Sequence, residues 1–229
     1  MKDSSSRIPP SATTGSQSEL REIKRWRPVF YKLVWLGFSY PDARLLDRFD
    51  TEDFLEGMIE TSRAYDLGVE GEILKRNKEL AAGQRKSILE EMETEYVRLF
   101  IAEVGGALIQ PYGSIYLDGE VRGRSTKQVV EAYSHAGFEK SEEYSDLPDH
   151  FSTEVEFMYK LSQKDDPKSL TRFRDFYDEY FAPWYGEFVE DVWQKTEYWF
   201  YGLLARWANK GFKADRKAVK EILSNTERE

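Results

Sequence analysis

The chain has no cysteine and only two histidines, His135 and His150, among its 229 residues. Without thiols there is no disulfide framework, no thiolate ligation of zinc or iron–sulfur clusters and no cysteine nucleophile. Two imidazoles exclude a three-histidine metal site. Basic side chains are in deficit as well: 33 Lys+Arg stand against 42 Asp+Glu, a formal net charge of −9. A protein that grips nucleic-acid backbones needs a basic stripe to displace counterions, so a cationic partner is expected here and nucleic acid is not. No stretch of about 18 consecutive apolar residues exists, the length a helix needs to cross a bilayer. The longest uncharged run, Val104 to Leu117, is interrupted by Gly105, Gly106, Pro111 and Gly113. The N-terminal MKDSSSRIPPSATTGSQ has neither an apolar core nor paired arginines, and so reads as neither a secretory nor a twin-arginine signal. A cytoplasmic protein is the expectation.

Residues 1–17 are rich in Ser, Thr and Pro with little to bury, and are expected to form a disordered tail. From Ser18 to the C-terminus the pattern is helical. Ser18 with Glu19 and Glu22 starts a first helix, which Pro28 should bend or restart before it ends near Gly37. Thr51 opens a second, through about Tyr65. Between Gln84 and Ile101, one face carries Ile88, Leu89, Met92, Tyr96, Leu99 and Phe100 at a period close to 3.6. Ser125 is expected to cap a helix that Gly137 closes, and another should run from about Pro148 to Gln163. At least three more segments follow, to about Ser224. Alternation of the β kind is confined to Ser114–Asp118, too short to found a sheet. The expected architecture is all-α, a single-domain bundle of about ten helices over residues 18–229.

Between Phe173 and Phe212, 15 of 40 residues are aromatic. Phe173, Phe176, Tyr177, Tyr180, Phe181, Trp184 and Phe188 recur at helical spacing although Pro183 must break or kink the run. Such a stripe reads first as a bundle core and second as a groove for a partner helix.

Motifs for conventional catalysis are missing. There is no phosphate loop GxxxxGK followed by Ser or Thr, no GxGxxG after a strand, no GxSxG elbow and no HExxH. One polar cluster stands out, Asp146-Leu147-Pro148-Asp149-His150 with Glu154 following. If a helix starts at Asp146, both aspartates read as capping groups at the positive end of its dipole. His150 and Glu154, four apart, would share a face within reach of a salt bridge. The set is thin as a metal site, and as an acid–base pair it lacks a nucleophile. The second unusual stretch is Gln110-Pro111-Tyr112-Gly113-Ser114-Ile115-Tyr116-Leu117-Asp118, read as a structured loop that packs across the bundle or walls a peptide pocket.

The order of EYVRLF, PYGSIYLDGE, a helix beginning Ser-Thr, a glycine, and PDHFSTEVEFMYKL resembles the TorD/DmsD/NarJ-type family of redox-enzyme maturation chaperones. The likeness is strong from Glu95 to Leu161 and looser over the aromatic helices from Phe173 to Trp207. It implies an all-helical chaperone, not an enzyme, with no cofactor of its own. Its partner would be the precursor of a molybdoenzyme catalytic subunit, held through a twin-arginine signal peptide until its cofactor is inserted. By the same likeness, Pro148, Asp149, His150, Glu154 and Phe157, with Met158, fall on the signal-recognition motif and its helix. Tyr112, Ser114, Tyr116 and Asp118 fall on the neighbouring loop. The resemblance departs at Phe181-Ala182-Pro183-Trp184, where many relatives carry a histidine ahead of the proline. It is compatible with a monomer or a helix-swapped homodimer.

A twin-arginine signal joins a basic head to an apolar segment, so its receptor wants carboxylates beside a greasy wall. Asp149, Asp118 or Glu154 would face the arginines, because guanidinium pairs with carboxylate bidentately, while Tyr112, Tyr116 and Phe157 would border the apolar part. Two other classes remain open from sequence: a small hydrolase or nucleotide-binding enzyme using Asp149 and His150, and a regulatory adaptor with no redox client.

Overall fold

The computed structural model describes residues 13–41, 53–82, 85–101, 106–138 and 147–226. Ten α-helices occur among them: α1 Thr13–Gly37, α2 Asp53–Ala64, α3 Glu70–Ala82, α4 Arg85–Tyr96, α5 Gly113–Asp118, α6 Arg124–Ala136, α7 Phe151–Ser162, α8 Pro167–Phe176, α9 Ala182–Lys195 and α10 Trp199–Thr226. Two π-helical turns extend α4 over Val97–Ile101 and join α8 to α9 over Tyr177–Phe181. No β-strand occurs among the described residues. The all-α expectation therefore holds. Of the tail expected over residues 1–17, residues 1–12 lie outside the described residues, and α1 already runs from Thr13.

Apolar burial organises the bundle around α7. Phe151, Val155, Met158 and Leu161 are all buried, and α1 and α8 pack against this helix. The long α1 also packs on α2 and α10. Pro28 lies inside α1 without interrupting it, which corrects the expected restart. The crossing with α10 is close because Gly211 has no side chain: a Cβ there would stand 2.1 Å from the Phe30 ring. The aromatic stripe is core, as its spacing suggested. Phe173, Phe176, Tyr177, Phe181, Trp184 and Phe188 are buried, and Phe151 packs against Phe188 with ring centroids 4.4 Å apart. Pro183 does not break the run. It offers no N–H to the carbonyl four residues back, and the helix widens into the π turn just ahead of it.

Polar bonds fix the termini of this core. Glu95, buried in α4, accepts from the backbone N–H of Glu197 at 2.7 Å and from Thr196 Oγ1 at 2.8 Å, and Arg98 pairs with it at 2.7 Å. The EYVRLF segment thus docks α4 on the α9–α10 junction. Burial disfavours the Glu95 charge, but the bonds from Arg98, Thr196 and Glu197 win, and its pKa falls below the ordinary value.

Across the bundle, Asp215 of α10 is wholly buried. It accepts from Arg27 Nε at 2.7 Å, from Tyr31 at 2.8 Å and from Tyr65 at 2.8 Å. Arg27 also lies over the Phe173 ring, 4.5 Å from its centroid. Burial disfavours the guanidinium charge, yet Asp215 more than offsets this and holds Arg27 protonated above its usual pKa. One carboxylate thereby ties α1, the turn after α2 and α10, with α8 stacked beneath the cation. Removing one member of such a pair leaves the other charged, buried and unanswered, at a cost of about 3–5 kcal/mol. Asp215→Ala is expected to lose that much in urea unfolding, and the double variant Arg27→Met/Asp215→Asn to lose less than half as much.

Candidate functional site

The turn ahead of α7 and the short helix α5 come together at the residues the sequence singled out. The peptide of Pro111 and the backbone of Phe151 are joined by Phe151 N–H to Pro111 O at 2.8 Å, and Tyr112 pairs with His150 in an isolated antiparallel bridge. Tyr133 of α6 donates to the Pro148 carbonyl at 2.9 Å and so holds the turn from the other side.

Asp149 does not cap its own helix. Its side chain accepts from the Ser114 backbone N–H at 2.9 Å, while its carbonyl accepts from Gly113 N–H at 2.8 Å. It therefore caps α5, 35 positions upstream, instead of the box expected with Asp146, which lies outside the described residues. The N-cap of α7 is His150, whose Nδ1 accepts from Ser152 N–H at 3.1 Å. That bond requires a lone pair on Nδ1, so the ring carries its proton on Nε2. Ser152 Oγ in turn donates to the Phe38 carbonyl at 2.8 Å, anchoring α7 to the end of α1. The stretch 113–118, read from sequence as loop, is helix α5.

Glu154 points inward. Its one hydrogen bond comes from Trp184 Nε1 at 3.2 Å, so the salt bridge expected with His150 is replaced by a bond across to α9. Burial raises its pKa well above the usual carboxyl range. The Trp184 bond opposes this weakly, and the Asp149 charge adds to it. Gly113 makes this approach possible: a Cβ there would stand 3.1 Å from Trp184 Nε1 and 3.3 Å from Glu154 Oε1. Trp184 and Gly113 are the site residues that sequence reasoning missed. The only available signal was Pro183-Trp184 within the departing FAPW segment.

The remaining expected residues divide. Tyr116 is half-buried, stacks near Trp184 at 5.6 Å and donates to Asp191 Oδ2 at 3.3 Å. Burial and then Asp191 push its hydroxyl pKa up. Asp118 is exposed and accepts from both Ser125 N–H and Ser125 Oγ, so it, and not Ser125, tethers the start of α6. Phe157 is core, wedged between Tyr133 and Phe176 with both centroids at 4.7 Å. Ser114, Asp149, His150 and Glu154 are all buried. The space between His150, Pro111 and the rings of Phe38, Phe100 and Phe188 is too small to hold a water. Open clefts lie elsewhere. One of about 380 Å³ is walled by Glu90, Glu91, Thr94, Glu95, Glu197 and Tyr198, and another of about 320 Å³ by Phe138, Phe157, Lys160 and Lys164 among others. Among the described residues no helix is long and apolar enough to cross a membrane, and no group of three or more His, Asp or Glu is placed to hold a metal.

The scaffold is all-helical among the described residues, with an aspartate–histidine turn clasping a short helix. A profile of the nitrate reductase delta subunit family matches residues 66–190, more than half of the chain, and the protein belongs to that family, the NarJ/TorD type. It is also similar to a crystal structure from Archaeoglobus fulgidus described as a candidate redox enzyme maturation protein. The two share 26% identity with a TM-score of 0.52, over 81% of this chain and 91% of that one. No curated protein sequence matches the chain significantly.

The buried carboxyl sets a pH dependence. A carboxyl whose pKa is raised on folding stabilises the protein fully below its unfolded value, and that stability is lost as pH rises through the folded value. Between pH 5 and 8 the wild type is therefore expected to lose stability relative to Glu154→Gln, by up to about 1.4 kcal/mol per pH unit. Denaturant midpoints measured across that range check this; parallel profiles for the two proteins would contradict a protonated Glu154.

Proposed function

We propose that the protein is a cytoplasmic chaperone for the catalytic subunit of a molybdopterin-dependent oxidoreductase. It binds the twin-arginine signal peptide of that subunit at the α5–α7 junction and supports cofactor insertion before export. One observation carries the reading. Asp149 and Glu154 are fully buried near one another under α5, against an aromatic wall of Tyr116, Trp184 and Phe188, and no cationic side chain among the described residues is bonded to either. That is the chemistry a basic head joined to an apolar segment needs. Membership of the maturation-chaperone family supports the same direction, and so does the net charge of −9.

An enzymatic use of Asp149 and His150 is less well served by this geometry. The His150 Nδ1 lone pair is engaged by Ser152, Asp149 is engaged by α5, and both are closed off from solvent. Residues 18–229 act as one chaperone domain in this reading.

Calorimetric titration of the purified protein with the client's signal peptide tests the assignment. Asp149→Ala is expected to weaken binding at least tenfold, about 1.4 kcal/mol, through loss of a carboxylate partner for the peptide's arginines. His150→Ala should weaken it in the same direction, and added salt should weaken binding to the wild type. Unchanged affinity in both variants would contradict the site. Capture from the native host should recover a molybdoenzyme large-subunit precursor, and its consistent absence would contradict the client class.

A further inference from the structure

Among the described residues Glu95, Asp149, Glu154 and Asp215 are buried, and the fold treats their carboxyl groups differently. Asp215 is answered from within by Arg27, Tyr31 and Tyr65. Asp149 and Glu154 are equally buried, yet three polar atoms around them have no hydrogen-bond partner: Asp149 Oδ1, Glu154 Oε1 and Ser114 Oγ. Each carboxyl uses a single oxygen, one on Ser114 N–H and the other on Trp184 Nε1. Buried acceptors without donors are costly, and each one calls for a specific explanation. Two neighbouring carboxyls with free oxygens match a planar cation bearing several N–H groups, a guanidinium, better than a compact ammonium.

The cover over the pair is thin. Helix α5 is six residues long and lies between Gly106 and Gly119, whose φ values of +106° and +77° place both in the left-handed region. Its start is tied to Asp149 by the two N–H bonds, and no Cβ at position 113 separates its backbone from Glu154. On its outer side Leu117 and Asp118 are exposed.

We propose that the Asp149–Glu154 pair is an internal guanidinium site that α5 closes in the unbound protein, and that an arginine of the client's signal peptide enters it when α5 lifts. The identity of the arginine donor rests on the signal-peptide reading above; the lid is a property of this chain alone.

A proton holds the lid shut. With α5 closed, burial and then Asp149 keep Glu154 protonated. The groups around it are Asp149 and His150 ahead of α7, Trp184 of α9, Ser114 of α5 and Tyr133 of α6, and Tyr133 is itself kept neutral by burial, Glu154 and Asp149. Once lifted, Glu154 meets water and returns toward the ordinary 4.5. The closed form thus holds the proton more tightly, and opening becomes up to tenfold easier per pH unit between the two values. Guanidinium binding to the ionised pair then releases the Glu154 proton to solvent.

Amide exchange of the full chain tests the lid. From pH 5 to 8 the Gly113 and Ser114 amides should exchange faster than base catalysis alone accounts for, by up to tenfold per pH unit. Glu154→Gln, which mimics the protonated side chain and keeps the fold, should abolish the excess. No excess in the wild type overturns the lid. Titration with the signal peptide in two buffers of different ionisation heat tests the site: about one proton released per peptide by the wild type, and none by Glu154→Gln. Binding without proton release overturns the internal site while leaving the signal-peptide reading standing. Failure of the peptide to bind overturns that reading, and amide exchange then decides the lid by itself.

Discussion

Arg27 is the only Lys or Arg side chain buried among the described residues, and it is committed to Asp215. That pairing fixes where α1 meets α10 and the turn after α2, and it stacks the cation on α8. The aromatic core then closes around a frame already set by one ion pair. A buried charge tolerates no slack, because its partner must be within bonding distance or the fold loses several kcal/mol. Among the described residues no second buried cation answers Asp149 and Glu154, and the character of the candidate site follows from this shortage.

At that site the usual logic of a helix start is displaced. A helix-opening aspartate normally answers the N–H groups of its own first turn. Here His150 takes that task for α7, which frees Asp149 to reach α5. The substitution of roles turns a local cap into a tertiary clasp, so the side chains proposed for recognition are also structural ones. Glu154 completes the arrangement from one helical turn later, beneath a backbone that approaches only because position 113 is glycine. The candidate site is therefore sealed, aromatic-walled and acid-lined.

Much of this was legible in the residues themselves. The 3.6-residue period gave the buried face of α4 correctly, from Met92 to Phe100, and Gly137 closed α6 where expected, with φ +68°. The motif around Asp149 and His150 marked a turn that the fold packs against α5. What it does there was not legible, since the Asp149 partner is Ser114, reached only through the tertiary fold. Likewise Tyr-Gly-Ser-Ile-Tyr has little helix propensity, and α5 forms because Asp149 satisfies its first N–H groups and Tyr116 packs on Trp184. The π turn before Pro183 depends on a register slip that no periodicity reports. The depth of Glu154 was not legible either, because it follows from the Trp184 indole, 30 positions away, coming over it.

A structure of the protein bound to its client's signal peptide bears most directly on the account. The account predicts α5 displaced from the Asp149 turn, with an arginine guanidinium of the peptide between the Asp149 and Glu154 carboxylates. A peptide seated elsewhere on the surface, with Ser114 still bonded to Asp149 and Trp184 to Glu154, would contradict it.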